Sequence, residues 1–156
     1  MEDKNIQDVQ PIEITARNKA GEYFKSGHNC TESIFLAYRD MLFPDMDKEM
    51  VKLATGFGGG LGESGCTCGA LTGSIMVLGL LKGRTSPHDD RHAAYKVSNE
   101  FHDKFKENFK TTCCRSLNGT DYETTEHMKR CLKITGTTAK MLMEYLNEKK
   151  LINKIV

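Results

Sequence analysis

The sequence predicts an all-α, single-domain bundle of about five helices. A glycine-rich loop leads into a central cysteine-bearing helix. Three observations carry this. Apolar residues recur at three- and four-residue spacing in several long windows. Capping residues and glycines bracket those windows. No stretch alternates convincingly as a strand would. The 156 residues suit one domain with its own core. There are no internal repeats and no composition shift, so residues 1–10 read as a flexible N-terminal segment and 11–156 as the domain.

The first helix is expected from about Glu13 to Ser26, with Ile14, Tyr23 and Phe24 toward one face and Gly27 as terminator. Asn29 and Glu32 form a capping-box pattern for the second, which carries Ile34, Phe35, Ala37, Tyr38 and Leu42 and stops near Pro44. A short helix covers Asp47 to Ala54. The stretch from Gly56 to Gly62 then reads as a loop, with Gly58, Gly59 and Gly60 expected beside the cysteine site. Thr67 is expected to cap a helix from Cys68 to Leu81, where Gly69 and Gly73 allow another backbone to come close. Ser86-Pro87 reads as the start of a helix reaching Lys110, with Val97, Phe101, Phe105 and Phe109 in the core. A loop runs from Cys113 to Asp121. The last helical region spans Glu123 to Lys149, with Thr120 and Glu123 as a capping box and Gly136 as a break. Met141 and Met143 read as packing residues there.

Charge and hydropathy exclude several classes of function. There are 22 basic and 21 acidic residues, a net charge of +1. That balance makes no nucleic-acid groove, and basic residues do not interleave with aromatics. Met1 to Gln10 is polar and acidic, so no export signal is expected. The longest apolar stretch, Ala70 to Leu81, is far short of the about 20 residues a membrane helix needs. The expected location is therefore the cytoplasm, where thiols stay reduced and serve catalysis, redox sensing or metal binding.

The six cysteines carry the chemical message: Cys30, Cys66, Cys68, Cys113, Cys114 and Cys131. Cys30 and Cys68 are both expected at the first position of a helix, where unpaired amides and the helix dipole favour a thiolate. An ordinary thiol titrates near about 8.5, and such settings lower it to roughly 3.5–7.5. Arg115, Arg130 and His28 are expected to act in the same sense. The plain alternative is that free cysteines pack as small apolar side chains. The Cys66-Thr67-Cys68 spacing is neither the thioredoxin Cys-x-x-Cys nor the Cys-x-x-Cys-His of c-type haem attachment. Paired zinc-finger motifs are absent. Four cysteines from separate elements suit an iron–sulfur centre equally well by type.

Two weaker patterns read as structure. Gly60-x-Gly62-x-x-Gly65 has the letters of a dinucleotide fingerprint, but a helix precedes it and no βαβ unit follows. His88, Asp89, Asp90 and His92 read as a solvated first turn, with a metal site as the alternative.

Several motifs in order carry a resemblance. They are His28-Asn29-Cys30-Thr31-Glu32-Ser33, Ala54 through Gly62, Cys68-Gly69-Ala70-Leu71-Thr72-Gly73, Met76 through Leu80, Cys114-Arg115-x-Leu117, and Cys131. With these, the chain resembles the bacterial and archaeal C_GCAxxG_C_C family of redox-active proteins, from about Phe24 to the last helix. The resemblance implies that Cys30, Cys68, Cys114 and Cys131 are the working cysteines and that Cys66 and Cys113 are additional. It implies thiol/disulfide chemistry, with Cys68 as a low-pKa nucleophile, or a [2Fe–2S] or other iron–sulfur centre on the same four thiols. A related domain in split-Soret cytochromes is associated with an iron–sulfur centre. Zinc is less favoured, because a structural zinc site has no evident need of the glycine loop. A zinc-thiolate or merely packed structural protein is the alternative. Members often lie beside transporter genes, which implies a redox partner linked to a membrane transporter. A homodimer is compatible with the sequence.

Overall fold

The computed structural model describes residues 9–153. The expected flexible segment therefore lies, up to residue 8, outside the described residues, as do residues 154–156 of the domain. The fold is all-α. Its long helices are α1 (Ile12–Lys25), α2 (Cys30–Leu42), α5 (Gly69–Lys82), α6 (His92–Phe109) and α8 (Thr125–Glu148). A 3-10 turn (Lys48–Val51) leads into the short α3 (Lys52–Thr55); α4 (Gly58–Leu61) is a tight turn rather than regular helix, with Gly59 and Gly60 at positive φ, and α7 (Cys114–Asn118) is a short helix. The expected count of about five matches the long helices, the short helix expected from Asp47 to Ala54 is found as the 3-10 turn and α3, and α7 is a short helix that was not expected.

α1 packs along α8 and α2, α2 also packs on α5, and α6 lies against α5. One cluster fills the interior: Ile34, Tyr38 and Met41 from α2, Leu71, Val77 and Leu78 from α5, Phe101 and Phe105 from α6, and Leu142, Met143 and Leu146 from α8. The three- and four-residue spacings put these side chains on one face of each helix. The Tyr38 hydroxyl, fully buried, donates to the Ala139 carbonyl at 2.6 Å and so leaves no orphan polar group there.

α2 begins as its sequence dictates. Asn29 accepts from the Glu32 amide at 2.9 Å, and Glu32 reaches back to the Asn29 amide. Elsewhere the boundaries shift. Cys68, not Thr67, is the N-cap of α5. Thr67 is instead held opposite Cys113 in an antiparallel bridge, which keeps it extended. α6 starts at His92 rather than Pro87. Arg84 captures the Pro87 and Asp89 carbonyls at 3.0 Å each, and the Asp90 carboxylate accepts from the His92 amide at 2.8 Å. Those bonds hold the segment in a turn. Thr124, not Thr120, caps α8 by accepting from the His127 amide at 3.2 Å. α8 runs unbroken through Gly136, where the missing side chain lets Arg17 of α1 lie close. The segment from Cys114, expected as loop, forms α7. Among the described residues no helix is long and apolar enough to cross a membrane.

Candidate functional site

The cysteine site is built where three helix starts meet the glycine-rich segment. Residues 65–68 and 112–115 run antiparallel. The Cys68 amide donates to the Thr112 carbonyl at 2.8 Å, the Cys114 amide to the Cys66 carbonyl at 2.5 Å, and the Arg115 amide to the Gly65 carbonyl at 3.1 Å. This pairing brings the start of α5 beside the start of α7. The glycine segment is sewn to the same strap, with the Gly65 amide on the Gly59 carbonyl at 3.0 Å and the Cys66 amide on the Gly60 carbonyl at 2.9 Å.

The glycines let these backbones meet. Gly60 has a φ of +67°, in the left-handed region. A Cβ there would stand 2.5 Å from the Cys66 amide nitrogen and 2.7 Å from the Cys114 Cβ. A Cβ on Gly69 would run into Cys30 Sγ and Thr31 Oγ1. The two neighbours Leu61 and Glu63 also adopt positive φ, 68° and 64°. Such strained non-glycine residues concentrate at functional sites.

Cys30, Cys68, Cys114 and Cys131 thus come from α2, the start of α5, the start of α7 and the body of α8. Cys68 feels Cys30 and Cys114, and Cys131 feels the same two, so Cys30 and Cys114 sit at the middle of the group. Cys68 and Cys114 are buried, while Cys30 and Cys131 are partly exposed. Backbone amides face the sulfurs: Gly59 and Thr31 at Cys30, Ala70 and Leu71 at Cys68. Of the expected loop residues, Gly59 turns its amide to the Cys30 sulfur, Gly60 packs against the Cys66 backbone and the Cys114 Cβ, and Gly58 packs against the capping Asn29.

The expected low-pKa Cys68 is not found. Burial pushes its thiol up, the neighbouring Cys30 and Cys114 add to this, and the α5 amides only partly offset it. Burial likewise raises Cys30. Cys114 is pushed up to about 11 by burial and then by Cys30 and Cys113. Cys131 is pushed up to about 12 by burial, Cys30 and Cys114, against the pull of Arg130 and Asn118. His28 Nδ1 is engaged by Glu32 Oε2 at 3.0 Å. The helix N-terminus favours a negative sulfur, but desolvation is the larger effect here.

Three residues that sequence reasoning missed surround Cys131. Asn118 is buried, and its Oδ1 accepts from Arg130 Nε at 2.7 Å. That bond fixes the amide, so Nδ2 points at Cys131 Sγ and at His127 Nε2, 3.3 Å away. His127, also buried, has its Nδ1 on the Asn118 carbonyl at 3.0 Å. The Tyr122 ring lies edge-on to His127 at 5.0 Å, and its hydroxyl donates to the Gly59 carbonyl at 3.4 Å. The only sequence signal was the Asn118-Gly119 pair, which reads as a turn. A pocket of about 470 Å³ opens over Cys30, lined among others by His28, Gly59, Glu63, Tyr122 and His127.

The other two cysteines are not among these four, though Cys113 borders the group through Cys114. Cys66 is exposed and Cys113 partly exposed. Hydrogen bonds from the Ser116 amide and side chain, with help from the Arg115 amide and charge, hold Cys113 below the usual thiol range. His88, Asp89 and Asp90 lie in the exposed turn before α6, and His92 is its exposed first residue.

Among the described residues, no three His, Cys, Asp or Glu side chains stand close enough together to hold one metal ion. An iron–sulfur centre divides its cysteines among several iron atoms. The donor set, four thiols with amides turned toward them, fits a centre of that kind.

The sequence profile of the C_GCAxxG_C_C family, described as "Putative redox-active protein", matches residues 28–145. An uncharacterized protein of Archaeoglobus fulgidus is 26% identical over 144 residues, spanning 86% of this chain and 95% of its own length. No solved structure matches. The family profile spans all six cysteines and the glycine-rich segment, so the chain belongs to the C_GCAxxG_C_C family.

Proposed function

We propose that this redox-active protein works through a metal centre held by Cys30, Cys68, Cys114 and Cys131, with [2Fe–2S] or another iron–sulfur centre as the favoured occupant. One observation supports it above others: four thiols from four separate elements gather around Cys30 and Cys114. A thiol/disulfide exchange site needs only two thiols, and at least one must be open to its partner. Here two of the four, Cys68 and Cys114, are enclosed, which leaves only Cys30 and Cys131 open to such a partner. When bound, such a centre supplies one-electron transfer at a potential set by burial and hydrogen bonds to sulfur. The chain's own share is specific. Burial of Cys68 and Cys114 excludes water, Asn118 donates to the Cys131 sulfur, and the Gly59 amide faces Cys30. The natural setting is the cytoplasm, with an electron-carrying partner.

The second reading uses the thiols directly. Cys68, as a thiolate, attacks an external disulfide, and Cys30, Cys114 or Cys131 resolves the mixed disulfide. The protein loses two electrons and two protons to that disulfide. Cys30 Sγ lies against Gly69, the residue next to Cys68, which favours this pair.

Anaerobic purification decides between the two. Absorption spectra, iron and sulfide analysis and free-thiol counts are the measurements. Visible bands with stoichiometric iron, lost in Cys30→Ser, Cys68→Ser, Cys114→Ser and Cys131→Ser, are the expected result. Iron-free protein whose four thiols oxidise in pairs supports the second reading. Zinc in place of iron, or four substitutions without effect on metal content and thiol reactivity, defeats both.

A further inference from the structure

Cys66 and Cys113 have no part in the four-thiol site, yet the fold brings them to one place on the surface. Thr67 and Cys113 are directly opposite in the antiparallel bridge. The flanking bonds, Cys68 amide to Thr112 carbonyl and Cys114 amide to Cys66 carbonyl, mark this as the non-hydrogen-bonded kind of pair. Opposed Cα atoms are then about 4.5 Å apart, and one step along the strand puts the Cys66 and Cys113 Cα atoms about 5–6 Å apart. Disulfides span roughly 4.4–6.8 Å between Cα atoms.

The side chains lean the right way. Cys113 Sγ donates to the Gly65 carbonyl oxygen at 3.2 Å, one peptide from Cys66. That oxygen is about 2.8 Å from the Cys66 Cα across a planar trans peptide, so Cys113 Sγ lies within about 6 Å of it. Cys66 Sγ, in turn, stands 4.0 Å from Thr67 Oγ1. In a regular strand neighbouring side chains point to opposite faces. Here the Cys66 sulfur lies beside the side chain of Thr67, which is paired with Cys113. The positive φ of Gly65, +69°, turns the chain just before it.

We infer that Cys66 and Cys113 form an outer redox pair that exchanges with a low-molecular-weight disulfide, separately from the inner four cysteines. Cys66 is the exposed thiol and makes the first contact. Its thiolate attacks one sulfur of the external disulfide, forming a mixed disulfide and releasing one thiol, which takes up a proton. The Cys113 thiolate then attacks Cys66 Sγ, closing the internal disulfide and releasing the second thiol. Two electrons and two protons leave the protein and reduce the external disulfide to two thiols. The inner site is not required, so the pair and the metal-centre reading succeed or fail independently.

The test uses the full chain, reduced and folded, with limiting glutathione disulfide. Remaining thiols are trapped by alkylation and the products mapped by mass spectrometry. A Cys66–Cys113 cross-link is expected before any bond involving Cys30, Cys68, Cys114 or Cys131. Cys113→Ser is expected to stop at glutathione on Cys66. Cys66→Ser is expected to give no cross-link, with Cys113 modified roughly tenfold more slowly because it is less accessible. Circular dichroism checks that both variants fold, and Cys66→Ala serves as a second variant. A first cross-link from Cys113 to Cys114, or from Cys66 to Cys68, overturns the assignment. So does glutathione accumulating separately on Cys66 and Cys113 without closure.

Discussion

The inner four cysteines and the outer two are one residue type in two settings, the first largely enclosed and the second at the surface of the strap. Cys114 and its neighbour Cys113 show it most directly. Burial pushes Cys114 up to about 11, while the Ser116 hydrogen bonds and Arg115 hold Cys113 below the ordinary value. Both belong to the start of α7. Proximity to a helix start therefore does not decide a thiol's chemistry. Removal from water does, and a group that loses its water favours the uncharged form. A buried thiol site of this kind suits an occupant that carries its own positive charge, since metal ions displace the thiol proton.

The largest expected effect is on reactivity in the metal-free folded protein. With Cys114 pushed up to about 11 and Cys113 held below the usual thiol range, Cys114 should alkylate at least about 100 times more slowly than Cys113 at neutral pH. Cys131, pushed up to about 12, should be slower by about tenfold again for the same reason if access were equal. The sign is fixed: raising pH through 11 and then 12 should release Cys114 before Cys131. Residue-resolved alkylation rates against pH measure this. Equal rates for Cys113 and Cys114 at pH 7 would remove the distinction.

Next is the packing that separates the two groups. Gly60→Ala puts a Cβ against the Cys66 backbone and Cys114 Cβ at a left-handed φ. Overpacking and backbone strain together should cost about 2–4 kcal/mol. Gly69→Ala meets Cys30 Sγ and Thr31 Oγ1 and should cost about 1–3 kcal/mol. Either variant should also open the inner thiols to alkylation. Denaturant titration gives the first readout, and alkylation mapping the second. A Gly60→Ala protein with wild-type stability would mean the strap is looser than its hydrogen bonds suggest.

Some of this was legible in the sequence. Cys30 at the first position of α2 follows from Asn29 and Glu32, a purely local arrangement. The close approach at Gly69 and Gly73 followed from their four-residue spacing. What failed was non-local. Thr67 is a better capping type than Cys68, but its pairing with Cys113, 46 positions on, overrides that preference. α7 has five residues, too few for a periodic signal, and exists because the strap fixes its start. Asn118 and His127 are ordinary polar residues until Arg130 orients the amide toward Cys131. The low-pKa expectation for Cys68 failed because burial is a tertiary quantity that the helix start alone does not reveal.

A smaller effect loosens α2 without touching a thiol. The Tyr23 hydroxyl of α1 donates to the Asp40 carboxylate of α2. Burial and this bond push Tyr23 up to about 12. Burial raises the Asp40 carboxyl, but Tyr23 and Arg39 more than offset it, leaving it below its usual range. The folded state thus favours protonated Tyr23, a contribution complete below about pH 10 and lost as pH rises through 12. Asp40 contributes above the usual carboxylate range, and its share is lost as pH falls through its lowered pKa. Tyr23→Phe should therefore cost about 1–2 kcal/mol near neutrality. The gap from wild type should narrow at both extremes of pH. The Cys113-to-Cys114 rate ratio should survive, and its loss would tie the thiol distinction to α1 instead.

The smallest change falls on the same helix as Gly69 but at its other end. Gly79 lies within α5, is exposed, and has nothing within 4 Å of where a Cβ would stand. Gly69 and Gly73 face α2, whereas Gly79 faces open space. Alanine at 79 fits the helical backbone and narrows the unfolded ensemble. It should stabilise the protein by about 0.5–1 kcal/mol. Thiol reactivities and metal content should stay at wild-type values. The contrast with Gly69→Ala then isolates the cause, since helix, residue change and propensity are shared and only the neighbour differs. If Gly79→Ala also opened Cys68 to alkylation, the stiffness of α5 as a whole would be protecting the site, and close packing at Gly69 would not be the reason.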